Sequence, residues 1–153
     1  MPAVQNELVV TRVFDAPPAL VWKAWTEPEH FKKWWGPKGF TAPVAKIDLR
    51  VGGAFHWCMR GLKGEEYWTV AVYREIVPLK RLVYADSFAD EKGNRIPAPG
   101  GWPAETVVTV TFEEDHGKTK MTLRHAGMPS GKMSEMAGAG WNQSFDKLAA
   151  SLV

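Results

Sequence analysis

The chain has 153 residues, a length typical of one domain with a substantial hydrophobic core. Its 19 basic and 17 acidic residues give a net charge of +2 and are mixed along the chain, which excludes a basic block for nucleic acid or anionic membranes. The single cysteine excludes an internal disulfide, and no apolar run has the length of a membrane span or signal peptide. We therefore predict one cytoplasmic domain over residues 1–153, without stable membrane insertion.

The N-terminal half combines strand patterns with two short helices. Residues 7–15 alternate apolar and polar side chains and are rich in β-branched residues, as in a half-buried strand. Pro18 and Pro28 suit the first turns of two helices, which we place at 19–26 and 29–35. Turns rich in glycine or charged residues then separate three further strands, predicted at 40–50, 54–60 and 67–77.

The C-terminal half adds three strands, one long loop and one long helix. Apolar alternation predicts strands at 81–89, 105–113 and 119–125. Residues 90–103 are rich in glycine and proline, and a loop of this length is typical of the rim of a binding site, with disorder as the alternative. Residues 130–153 follow a helical period with one apolar stripe. Short turns between strands imply an antiparallel sheet, which this helix is predicted to cover.

Eight tryptophans among eighteen aromatic residues indicate either an aromatic core or a cavity with aromatic walls. Gly138 and Gly140 lie near the inner flank of the predicted long helix. Each glycine costs roughly 1 kcal/mol relative to alanine inside a helix, which suggests close packing or a need for space. This favours a cavity over a collapsed, dry core.

Several motifs follow one another in the order found in a known family. They are the segment from Arg12 to Glu29, the run Trp34-Trp35-Gly36-Pro37, the segment from Asp48 to Phe55, and the stretch from Gly140 to Leu148. In these motifs the chain resembles stand-alone bacterial relatives of the C-terminal domain of the Hsp90 ATPase activator, the AHSA1-like family of the START-like, or Bet v 1-like (SRPBCC), superfamily. The resemblance implies an α+β helix-grip fold, with a curved seven-stranded antiparallel sheet around the C-terminal helix. It also implies a cavity between sheet and helix that takes an apolar small molecule.

The side chains expected to face this cavity are mostly aromatic or apolar. The mouth of the cavity is expected at Trp34, Trp35 and the 90–103 loop. The predicted ligand-binding residues are Trp34, Trp35, Phe55, Trp57, Met59, Trp68, Tyr84, Asp86, Phe88, Val110, His125, Trp141 and Phe145.

Asp86 and His125 are the polar members of this set and the candidate catalytic residues. Asp86 is either ionised and hydrogen-bonded, or a neutral acid, because desolvation raises the pKa of a carboxyl group. His125 is either a general base, a group that orients a ligand carbonyl, or a hydrogen-bonded structural histidine. The two form an acid–base pair only if their side chains converge.

The sequence contains no pattern for other site chemistries. The four histidines have no metal-ligand spacing, and no nucleophile or phosphate-binding motif is present, so we predict neither a metal nor an organic cofactor. The predicted function is binding of a hydrophobic or aromatic small molecule. A cyclase or hydrolase that uses Asp86 and His125, and an interaction module for an Hsp90-type chaperone, are the alternatives. A homodimer stays open.

Overall fold

The structure, a computed structural model, describes residues 7–100, 102–127 and 132–152 and has the predicted α+β helix-grip fold. Seven antiparallel strands form one sheet in the order β1-β7-β6-β5-β4-β3-β2. The inner face of this sheet packs against the C-terminal helix. In chain order the elements are β1 (Glu7–Phe14), α1 (Pro18–Thr26), α2 (Pro28–Phe31), β2 (Thr41–Ile47), β3 (Ala54–Arg60), β4 (Glu66–Val77), β5 (Arg81–Ala89), β6 (Thr106–Asp115), β7 (Lys118–Ala126) and α3 (Lys132–Ser151).

The second short helix is shorter than predicted, and this changes the position of one tryptophan. Helix α2 ends at Phe31, because the chain then tightens into a turn in which the Trp34 amide donates to the Phe31 carbonyl oxygen. The indole Nε1 of Trp34 donates to the carbonyl oxygen of Ala24 at 2.8 Å, and the side chain is fully buried. The predicted place of Trp34 at the cavity mouth is therefore wrong.

In the first half of β4, the side chains that point toward the cavity are not the predicted ones but their neighbours on the other face of the strand. Trp68 pairs with Cys58 across β3 and lies over the ring of His56, with centroids 5.1 Å apart, on the outer face. A bulge between Tyr73 and Glu75 shifts the alternation of β4. Alternation that ignores the bulge puts Trp68 on the same face as the inward-pointing residues in the second half of β4. The predicted place of Trp68 in the cavity is therefore wrong.

Helix α3 has two halves with different surroundings. In its C-terminal half, Phe145 and Leu148 are fully buried among core side chains. In its N-terminal half, Gly138 packs against β1, where an added Cβ would lie 3.4 Å from Cδ1 of Leu8. The predicted helix positions 130, 131 and 153 lie outside the described residues. Within the described ranges, no helix has the length and apolarity to cross a membrane.

Candidate functional site

A cavity of about 550 Å³ lies between the inner face of the sheet and the N-terminal half of α3. Side chains of β3, β4 and β5 form its floor, and Met136, Gly140 and Trp141 of α3 lie opposite. Two loops form its rim: one contributes Trp35, Gly36, Pro37 and Phe40, and the other contributes Pro99, Trp102 and Pro103. The predicted role of the long loop at the rim of the cavity agrees with this arrangement.

The residues predicted for the cavity separate into three groups. Those that line it are Trp35, Trp57, Met59, Asp86, Phe88, His125 and Trp141. Others point inward as predicted but belong to the buried core, and these are Trp34, Phe55, Tyr84, Val110 and Phe145. Trp68 lies on the outer face. The core fills the end of the grip beside α1 and α2, and this leaves the open space near the start of α3.

Several lining residues are absent from the sequence prediction. Tyr67 and Thr69 line the cavity because they occupy the inward phase of β4. Thr106 lines it because it stands directly opposite Asp86 in the β5–β6 pair. The sequence implies that β5 and β6 pair in antiparallel fashion. It does not predict the register that brings Thr106 opposite Asp86.

One chain of hydrogen bonds runs along the cavity wall from α3 to β5. The indole Nε1 of Trp141 donates to Nδ1 of His125 at 3.1 Å. The other imidazole nitrogen, Nε2, lies 2.9 Å from Oγ1 of Thr106, and the Thr106 hydroxyl donates to Oδ1 of Asp86. The candidate residues Asp86 and His125 are thus brought together through Thr106, and not by direct contact.

The direction of this chain follows from its first member. An indole N–H can only donate, so Nδ1 of His125 accepts and carries no proton. The imidazole proton lies on Nε2, which donates to Thr106, and the threonine hydroxyl then donates to Asp86. Both nitrogens of His125 take part in hydrogen bonds, and its basic nitrogen already accepts the hydrogen bond from Trp141.

Burial shifts the pKa values of both ionisable groups in the chain. It lowers the pKa of His125 to about 4, so the imidazole is neutral at pH 7. Burial also raises the pKa of Asp86 to about 6, opposed by the hydrogen bond from Thr106. At neutral pH this chain of hydrogen bonds therefore ends at an ionised carboxylate on the cavity surface.

Helix α3 also holds the 35–40 loop in place. Nζ of Lys147 donates to the carbonyl oxygens of Gly36 and Phe40, each at 3.0 Å, and to that of Trp35 at 3.3 Å. Burial lowers the pKa of this ammonium group. The backbone amide of Lys38 in this loop also donates to a side-chain oxygen of α3, Oε1 of Gln143. These contacts fix the rim beside Trp35 and Gly140.

Similar structures are known from several bacteria. A protein from Chromobacterium violaceum is 30% identical, with a TM-score of 0.83 and 96% of each chain covered. A protein from Nitrosomonas europaea is 26% identical with a TM-score of 0.78, covering 95% of this chain and 93% of that one. The AHSA1 protein from Silicibacter pomeroyi, at 24% identity and a TM-score of 0.79 over 96% and 97% of the two chains, shares the fold.

The family comparison covers almost the whole chain. The search of curated proteins found no significant match. In contrast, the family described as "Activator of Hsp90 ATPase homolog 1-like protein" matches residues 15–152, from just after β1 through α3. The chain therefore belongs to the family of activator of Hsp90 ATPase homolog 1-like proteins, the AHSA1 family.

Proposed function

We propose that the protein binds a hydrophobic or aromatic small molecule in the cavity between the sheet and α3. The observation that carries the proposal is the cavity itself, which is lined mainly by apolar and aromatic side chains and contains few polar groups. Its volume of about 550 Å³ lies within the range of small-molecule sites. The START-like fold of the AHSA1 family, whose members commonly bind hydrophobic ligands, supports the same function.

The geometry favours binding over acid–base catalysis. A general base needs a free lone pair within reach of the substrate proton. The only lone pair of the neutral His125 ring already accepts from Trp141, so His125 fits the structural role better than the catalytic one. The chaperone partner, the homodimer and the cytoplasmic location stay predictions.

Gly140 offers a test of binding in the cavity. An added Cβ there would lie 3.8 Å from Cγ of Pro37, so a methyl group fits and a larger side chain must extend into the space that a ligand would fill. We expect Gly140→Leu to weaken binding of 1-ethylnaphthalene at least tenfold in isothermal titration calorimetry. The free energy of unfolding should change by no more than about 1 kcal/mol, because leucine is also the better helix former.

The matched control is Ala139→Leu, since Ala139 is exposed on the same helix one residue earlier. It adds a similar side chain outside the cavity and should leave the affinity within twofold of the wild type. If 1-ethylnaphthalene binds Gly140→Leu as tightly as it binds the wild type, the proposed function is wrong.

A further inference from the structure

The part of the cavity wall formed by Trp141, His125, Thr106 and Asp86 presents an acceptor. The hydrogen bonds of Trp141, His125 and Thr106 are all donated in the direction of Asp86, so none of these three side chains has a donor left for a ligand. Thr106 donates to Oδ1 of Asp86. Among the described side chains none donates to Oδ2, although Asp86 is only partly buried and lines the cavity. The carboxylate therefore has acceptor capacity for a group that enters the cavity.

The negative charge of Asp86 has no cationic partner among the side chains that the structure describes. None of their ion pairs includes Asp86. Its ionisable neighbours are Tyr84 on the same strand, Glu105 just before β6, and His125 on β7. Glu105 pairs outward with Arg74 and Arg95, and His125 is neutral at pH 7. The α3 residues that line the cavity are Met136, Ala137, Gly140, Trp141 and Ser144, which carry no charge.

A neutral apolar ligand would fit this charge poorly. It would displace water from the carboxylate without replacing the lost hydrogen bonds, and an unpaired charge in an apolar site is costly. A ligand with a cationic N–H group would replace that water with a charge-assisted hydrogen bond. The carboxylate therefore favours a cation among the apolar molecules that fit the cavity.

The aromatic wall favours the same kind of ligand. The rings of Trp35 and Trp57 have centroids 5.1 Å apart, and those of Trp35 and Trp141 are 5.2 Å apart, so three indoles form one continuous cluster beside the cavity. Indole faces attract ammonium groups as well as apolar surfaces. We propose that the ligand is an amine, with an aromatic or apolar body held by these rings and a protonated nitrogen that donates to Asp86. This inference rests on the proposed function and specifies its ligand class.

Three probes of nearly equal shape test the inference by calorimetry on the full chain. They are 1-naphthylmethylamine, which is cationic, 1-ethylnaphthalene, which is neutral, and 1-naphthylacetate, which is anionic. We expect the amine to bind the wild type at least tenfold more tightly than 1-ethylnaphthalene, and the anion to bind more weakly than both. In Asp86→Asn the preference for the amine should fall to within twofold. The amine loses its ionic partner, and 1-ethylnaphthalene, which no longer displaces water from a charge, should bind at least as tightly as it binds the wild type.

The pH dependence in the wild type gives a second readout that needs no variant. The amine stays protonated from about pH 5 to 8, whereas Asp86, with a pKa of about 6, loses its charge toward pH 5. The ratio of amine to 1-ethylnaphthalene affinity should therefore rise severalfold over this range. His125, with a pKa of about 4, stays mainly neutral throughout.

The outcomes separate the two proposals. Equal affinities for the amine and 1-ethylnaphthalene, or a preference for the amine that survives in Asp86→Asn, would overturn the amine inference and leave the proposed function standing. A pH-independent affinity ratio would overturn the inference in the same way. Failure of all three probes to bind the wild type would contradict the proposed function and this inference together.

Discussion

The Asp86→Asn variant is expected to be more stable than the wild type above pH 6, by roughly 3 kcal/mol in the free energy of unfolding. Burial raises the pKa of Asp86 from its ordinary value of 3.8 to about 6, so the folded chain holds this proton more tightly than the unfolded chain. The resulting stability is fully present below pH 3.8 and is lost as the pH rises through 6. Asparagine keeps the acceptor for Thr106 and removes the charge.

His125 gives the opposite pH dependence and makes the profile of this variant distinctive. Its pKa falls from 6.5 to about 4 on folding, so its contribution to stability is present above pH 6.5 and is lost as the pH falls through 4. In the wild type the two groups oppose each other between about pH 4 and 6. In Asp86→Asn the His125 dependence is no longer opposed by Asp86, and stability should rise with pH over this range.

Urea unfolding at a series of pH values measures both effects. The control is Asp146→Asn, because Asp146 is 70% exposed in its surface pair with Arg12 and should matter by less than about 1 kcal/mol at any pH. An Asp86→Asn variant that is less stable than the wild type at pH 8, or that follows the wild-type profile at every pH, would contradict the raised pKa of this carboxyl group in the folded state.

Phe145→Ala is expected to lower the free energy of unfolding by about 3–5 kcal/mol, the usual cost of removing a buried phenylalanine. Phe145 is fully buried, and its ring lies 6.3 Å from those of Phe14 and Trp25 between centroids. It therefore joins α3 to β1 and α1. Chemical denaturation measures the loss. The control in the same helix is Met136→Ala, 56% exposed, which should cost less than about 1 kcal/mol.

A small effect of Phe145→Ala, similar to that of Met136→Ala, would mean that the C-terminal half of α3 is not held by the core. It would also remove the basis for dividing the helix into a core half and a cavity half. That division separates Gly138, which packs against Leu8, from Gly140, which lines the cavity. The sequence left close packing and a need for space open for both glycines. Gly138 packs closely, and Gly140 lies on the cavity wall.

The order and type of the elements could be predicted from the sequence because most strands have a clear apolar alternation between turn residues. Strands β3 and β5 begin and end at the predicted residues. Strand β4 shows where this reasoning fails. A bulge after Tyr73 changes the phase of the alternation, and nothing in the local composition marks it, so alternation alone predicts the wrong face for Trp68.

The site could be predicted in part. Alternation placed Asp86 and His125 on the inner face, where the structure has them. Thr106, which joins them, depends on strand register, and register is set by long-range pairing. The adjacent tryptophans Trp34 and Trp35 could not be separated either, because only the turn after α2 sends the first into the core and the second to the cavity.

The most direct test of the binding cavity is an isotope-filtered NOE experiment on labelled protein with unlabelled 1-ethylnaphthalene. We predict contacts between the ligand and side chains on both walls, those of Met59 on β3 and of Ala137 and Trp141 on α3. Contacts confined to outer-face residues such as Val72, or no contacts at ligand concentrations that saturate the calorimetric signal, would contradict the account.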